Sequence, residues 1–316
     1  NNKEIMSFLD NLKVSDIPAP KEIITVKSDE TFVDAFNKLI GNSILSAPVR
    51  DVKTNKYVGF LEMRDLLSIL LLVEEDDRSK VTDIDALLKH VHDHLKVNDG
   101  VTLTYIARRH QFKSVKSDAS LLGVAELLSS HGASRTRRVA VVDDNDEIIN
   151  IVTQSGLVHY ISKHIDDLGD AGNKTIKALK LGTSPVKTVS FGESAHTTLQ
   201  LLDKSQISGL AITNEENRLF GHISGRDLKN FVTKPDLTKL RQPIKQFLAE
   251  LRNEKVDIGV PTILCFEHST LAEVIAKLSA TKVHRLYVVD GEENLKPIRV
   301  VSVSDVVSEI VKHCKA

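Results

Sequence analysis

One pattern recurs four times along the chain and limits what it can fold into: an apolar extended stretch, a hydroxyl residue opening an amphipathic helix, two short strands, and a second helix. In the first copy Ile23-Ile24-Thr25-Val26 reads as a strand. Thr31 then caps a helix whose apolar positions Phe32, Ala35, Phe36, Leu39 and Ile40 keep three-and-four spacing. Residues 46–49 and 57–61 read as strands around the turn-like 53–56, and 66–73 closes the copy as a helix. Ser120, Ser194 and Thr270 open the equivalent helices of the later copies. The strands that follow them are expected at 139–142 and 148–152, 209–213 and 219–223, and 286–289 and 298–301. The distances from each capping hydroxyl to the start of the last helix, Thr31 to Asp65, Ser120 to Gly156, Ser194 to Asp227 and Thr270 to Asp305, are 34, 36, 33 and 35 positions.

One such unit holds too little core to stand alone, so copies are expected to pair face to face, in two pairs. The spacing predicts copies over 13–78, 110–168, 173–235 and 240–316, a charged helical linker over 79–109, and a boundary between pairs near 166–172. The longest apolar run, 66–73, is far short of the roughly 20 residues of a membrane span. With 42 Lys and Arg against 43 Asp and Glu, the formal charge of −1 gives no bulk field for nucleic acid or anionic lipid, so any anion site must be local. Two cysteines, Cys265 and Cys314, make neither a disulfide framework nor a C-x-x-C zinc pair, and residues 1–10 lack a signal pattern. A reducing setting, cytoplasmic or nuclear, is expected.

The repeat resembles tandem CBS motifs, which implies an α/β (α+β) fold of four motifs packed as two Bateman modules in a flat disc. Within that family the chain is similar to the gamma regulatory subunits of AMP-activated protein kinase. The fourth copy carries the likeness in 281–290 (TKVHRLYVVD) and 300–305 (VVSVSD). The first adds Ser46-Ala47-Pro48, 57–61 (YVGFL) and Asp65, and the lead-in Leu181-Gly182-Thr183 precedes copy three.

Each third strand runs into its last helix through a turn that suits a phosphorylated ribose. A helix N-terminus offers unpaired amides and a positive dipole end to phosphate. An Asp there can accept two hydrogen bonds from a cis-diol, and a Ser or Thr three positions earlier can reach a phosphate oxygen. The resemblance implies Asp65, Asp227 and Asp305 as ribose ligands, although the same residues also suit ordinary helix caps. Ser224, Arg226, Ser302, Ser304 and Thr153 lie at the same turns as phosphate contacts, and Thr183 and Thr270 are further nucleotide contacts. The basic pairs Arg137-Arg138 and His284-Arg285, with Arg135, would counter phosphate charge from a central crevice.

Copy two has Gly156 in place of the acid, as gamma subunits also lack one in their second motif. Three departures stand out. Leu45 takes the place of a gamma Arg, Ser155 that of a Lys, and Glu62 puts a carboxylate where phosphate would be repelled. His90, His92 and His94 have no positioned third metal ligand, and a solvated linker helix is the expectation there. Walker A, G-x-S-x-G and G-x-G-x-x-G patterns are absent, so no catalytic chemistry and no catalytic cofactor or metal are expected. The resemblance implies a regulatory sensor of AMP, ADP or ATP with kinase alpha and beta subunits as partners. A stand-alone four-motif scaffold or adaptor with partial or no nucleotide binding is the alternative, and pairing with a second copy is open in either case.

Overall fold

The computed structural model describes residues 9–71, 73, 75–94, 102–129, 136–253 and 263–315. Four three-stranded sheets form, each in the order of the chain. They are β1 (Val26–Lys27), β2 (Ser46–Arg50) and β3 (Tyr57–Glu62); β4 (Ser114–Lys116), β5 (Arg138–Val142) and β6 (Ile148–Thr153); β7 (Thr188–Ser190), β8 (Gly209–Thr213) and β9 (Leu219–Ser224); and β10 (Leu264–Phe266), β11 (Arg285–Val289) and β12 (Pro297–Ser302). In every copy the first strand is parallel to the second and the second antiparallel to the third. A parallel pair needs a crossover and an antiparallel pair only a hairpin, which explains one helix between the first two strands and none between the last two.

The repeat helices are α1 (Phe32–Gly41) and α2 (Met63–Leu70), α3 (Leu121–Leu128) and α4 (Gln154–Ser162), α5 (Ala195–Lys204) and α6 (Gly225–Thr233), and α7 (Leu271–Thr281) and α8 (Val303–Lys315). The expected hydroxyls open the crossover helices: Thr31, Ser120, Ser194 and Thr270 accept from the amides of Asp34, Gly123, Thr197 and Glu273. Each hairpin turn holds one residue at positive φ, namely Asn55, Asp146, Asn217 and Leu295. Asn and Asp tolerate that region, and Leu295 is the exception. Helix α2 starts at Met63, before the apolar run 66–73, because Glu62 and Asp65 close a capping box around its first turn.

The apolar helix stripes are covered by alternate copies, not successive ones. Ile24–Phe112 with Lys187–Pro261 forms one compact unit, and Asn1–Ile23, Lys113–Val186 and Thr262–Ala316 form the other. Copies one and three thus make an odd unit, in which α2 packs on α6. Its core joins Phe36, Leu66 and Leu67 to Leu199, Leu202 and Phe231. Copies two and four make an even unit, in which α4 packs on α7 and α8. There Leu121 and Leu157 share a core with Leu271, Leu286 and Val306.

The expected sharing of a core by successive copies, and the boundary near 166–172, are corrected by this. Leu168 and Ala171 are buried in the even core. A helix stripe is satisfied by any complementary apolar stripe, whatever its distance along the chain. The linker also does more than tether, since Val81, Leu87, Leu103, Ile106 and Ala107 are buried in the odd core.

Each copy is preceded by a short lead-in that docks on the neighbouring copy in sequence. Lys13 bridges to Ser120, Thr175 to Thr270 and Pro243 to Ser194, and the Phe60 amide donates to the His110 carbonyl at 3.2 Å. Among the described residues no helix is long and apolar enough to cross a membrane.

Candidate functional site

The strand register brings the basic pairs to the helix-opening turns. The first residue of each middle strand faces the residue that caps the last helix: Ser46 faces Glu62, Arg138 faces Thr153, Gly209 faces Ser224 and Arg285 faces Ser302. The first helical amide then donates to the residue before that strand, from Met63 to Leu45 O (2.9 Å), Gln154 to Arg137 O (3.2 Å) and Val303 to His284 O (3.0 Å). Within the even unit, Arg137, Arg138, His284 and Arg285 therefore flank the N-termini of α4 and α8. Arg135 lies outside the described residues.

All three acids use Oδ2 as a cap. It accepts the amide of Glu62 (2.8 Å) at Asp65, of Ser224 (2.8 Å) at Asp227 and of Ser302 (2.7 Å) at Asp305. Oδ1 separates them. At Asp65 it lies 2.8 Å from His110 Nε2, and because a carboxylate can only accept, that nitrogen carries the proton. At Asp227 it accepts Arg252 Nε at 2.6 Å while Arg252 Nη2 reaches Oδ2 at 2.7 Å, a bidentate fork. Burial opposes ionisation of Asp227, but the Arg252 guanidinium and the Ser224 hydrogen bonds outweigh it and hold the carboxyl below its usual range. Asp65 and Asp227 are each 2% exposed. Asp305 is half-buried, and its Oδ1 makes no hydrogen bond among the described residues.

Around Asp305 the even unit assembles the richest set of polar groups. Ser302 Oγ donates to Asp305 Oδ2 (2.6 Å) and lies 2.8 Å from Ser304 Oγ. Burial pushes the Arg285 guanidinium below its usual pKa, Tyr287 and Asp305 draw it back up, and Arg137 lowers it further. Arg285 thus feels both the Asp305 carboxylate and the Arg137 guanidinium beside the N-terminus of α8, where anions are favoured. Burial in turn pushes the Tyr287 phenol up to about 12, against the pull of Arg285. Sequence reasoning missed Tyr287. Its signal was its place two residues after Arg285, on the same face of β11. Thr183 exchanges both backbone hydrogen bonds with Val300 (2.8 and 3.0 Å), which extends this sheet beside the Ser302 turn.

Other expected residues fall elsewhere. Thr270 follows the end of β10 that pairs with Val289, at the opposite end of the sheet from Arg285 and Asp305, and its hydroxyl is occupied as the cap of α7. Thr153 caps α4 by accepting from the Gly156 amide at 3.0 Å. Ser224 donates to Asp227 Oδ2 at 2.8 Å, and Arg226 is exposed on α6. Leu45 is 44% exposed where the even-unit copies carry Arg137 and His284. Glu62 is buried, with His110 Nδ1 at 3.7 Å. His90 lies 4.0 Å from Asp77, the side chains of His92 and His94 fall outside the described residues, and no group of three metal-binding side chains occurs among the described ones.

The four sheets and their turns agree with a family model described as the CBS domain, which matches residues 14–72, 106–163, 177–234 and 257–312. The chain belongs to the CBS domain family. Protein sds23/moc1 of Schizosaccharomyces pombe is 25% identical, across 98% of this chain and 83% of that protein. The SNF1-related protein kinase regulatory subunit gamma-1 of Arabidopsis thaliana is also 25% identical, across 98% of this chain and 84% of the subunit. A Methanocaldococcus jannaschii protein described as a candidate archaeal homologue of g-AMPK shares the fold, with a TM-score of 0.65 at 18% identity over 94% of this chain and 99% of its own. The chain is thus a CBS protein similar to a kinase subunit that is itself named regulatory.

Proposed function

We propose that this CBS protein is a regulatory adenine-nucleotide sensor whose working site is the Asp305 turn. The observation that carries the reading is the Oδ1 of half-buried Asp305, which makes no hydrogen bond among the described residues, beside Arg285 at the start of a 13-residue helix. Oδ1 would accept the ribose diol, Ser302 and Ser304 would donate to phosphate, and Arg285 and Arg137 would balance its charge. Likeness to a kinase gamma subunit supports a kinase alpha and beta pair as the partner. Nucleotide acts there by binding one state of the assembly better than another.

Isothermal titration with AMP, ADP and ATP tests this. Asp305→Ala and Arg285→Ala each remove a charge-assisted contact of about 1.5–3 kcal/mol, so each weakens binding by roughly tenfold to a hundredfold. Unchanged affinity in both variants overturns the site. The second reading, a four-motif scaffold, is favoured by Gly156 and by the occupied carboxylates of Asp65 and Asp227. It predicts no heat with any of the three nucleotides, and a pull-down that recovers only this chain.

A further inference from the structure

Three equivalent carboxylates stand in three different states, and lead-in side chains reach two of them. Asp227 accepts four hydrogen bonds: Arg252 Nε on Oδ1 at 2.6 Å, and on Oδ2 Arg252 Nη2 at 2.7 Å and the Ser224 amide and hydroxyl at 2.8 Å each. Both oxygens of Asp227 are thus already engaged, Oδ2 by three donors and Oδ1 by the cationic Arg252. Arg252 Nη2 also donates to His222 O at 2.8 Å, which fixes the guanidinium against β9. Asp65 has His110 on Oδ1 and the Glu62 amide on Oδ2, and is equally buried. Among the described residues Asp305 uses only Oδ2.

Both closing donors belong to lead-ins. Arg252 ends the lead-in helix Ile244–Arg252, and His110 follows the lead-in helix Leu103–Ala107. The residue in the even unit that corresponds to His110 is Thr183. Its carbonyl accepts from the Val300 amide (3.0 Å) as that of His110 accepts from Phe60 (3.2 Å), and Val300 and Phe60 each stand two residues before the helix cap. Thr183 is exposed, short and uncharged.

We infer that the lead-in side chain decides which copies can take a cis-diol ligand: Arg252 closes copy three as a counter-ion, His110 closes copy one as a hydrogen-bond donor, and Thr183 leaves copy four open. This rests on the nucleotide reading of the Asp305 turn. A diol offers neutral O–H donors, whereas Arg252 is a cation whose hydrogen bonds are roughly twice as strong. Displacing Arg252 would also strand a charge in a nearly dry pocket.

The test is titration of the full chain with AMP. One nucleotide per chain is expected, with Thr183→Arg closing the site and weakening binding at least about tenfold more than the neutral Thr183→Gln of similar bulk does. Thr183 is exposed, so both variants fold. Equal loss in both overturns the counter-ion account. So does a stoichiometry of two or three in which one site disappears with Asp227→Asn, and that result leaves the sensor reading intact. If the wild-type chain takes up no AMP, the sensor reading falls, and 13C-detected titration of the aspartate carboxyls decides closure by itself. Asp227 is then expected to titrate below the ordinary Asp range and to rise in Arg252→Gln. An Asp227 in the ordinary range overturns closure.

Discussion

Arg252→Ala is expected to cost the odd unit about 3–5 kcal/mol, because it leaves the Asp227 carboxylate, 2% exposed, without its counter-ion. That is a large share of the roughly 5–15 kcal/mol that holds a typical domain folded. Asp227→Asn in the same background should recover much of the loss, since the stranded charge is then gone and Ser224 still caps α6. The pH dependence has a definite sign. With Arg252 present the folded carboxyl lies below its unfolded value, so the pair's contribution is complete above about pH 4 and is lost as acid protonates the folded carboxylate. Without Arg252, burial dominates and raises the folded pKa, so acid relieves the variant. The gap between wild type and Arg252→Ala in urea unfolding should therefore narrow from pH 7 to pH 3. A gap that stays constant over that range contradicts the pairing.

Arg252 also marks where the sequence stops being informative. The four copies, their capping hydroxyls and the Asp turns depend on residues within a few positions of one another, and local spacing encodes them. The Arg252 fork spans 25 positions and the His110 contact 45. Nothing in either lead-in says which carboxylate it will meet. The same limit hid the partnership of alternate copies, for α2 and α6 carry apolar stripes that any of the other helices could have covered. Asp305 was visible as an acid at a turn, with Ser302 and Ser304 beside it. That its Oδ1 makes no hydrogen bond among the described residues, while Asp65 and Asp227 have both oxygens engaged, goes with Thr183 standing where copy one has His110. Thr270 misled for the converse reason. A capping hydroxyl looks the same at either end of a sheet, and only the parallel pairing of β10 with β11 places it away from Arg285.

The second large effect is expected at the glycines that let the lead-ins dock. A Cβ on Gly59 would stand 1.9 Å from the Ala107 carbonyl oxygen and 2.9 Å from that of His110, both backbone atoms with little freedom to move. Gly59→Ala must therefore lift the lead-in off β3. That breaks the hydrogen bond from the Phe60 amide to His110 O and exposes Leu103 and Ile106, which are 2% and 4% exposed when docked. Each such side chain is worth about 1.5–3 kcal/mol of burial, so a loss near 3 kcal/mol or more is expected. Gly182→Ala acts alike in the even unit. Its φ of +90° is poorly tolerated by a side chain, and its Cβ would stand 2.3 Å from Val300 O, so Thr183 could no longer pair beside the Asp305 turn. Gly41→Ala is the control, because the space around it is open and it ends a helix, where Ala is favoured by up to about 1 kcal/mol. Thermal unfolding with amide exchange at Phe60 and Val300 reads all three. Protection should collapse at Phe60 in Gly59→Ala and at Val300 in Gly182→Ala, and remain at both in Gly41→Ala. Retained protection at Phe60 in Gly59→Ala would mean that the lead-in is not held by β3, and that His110 reaches Asp65 by some other support.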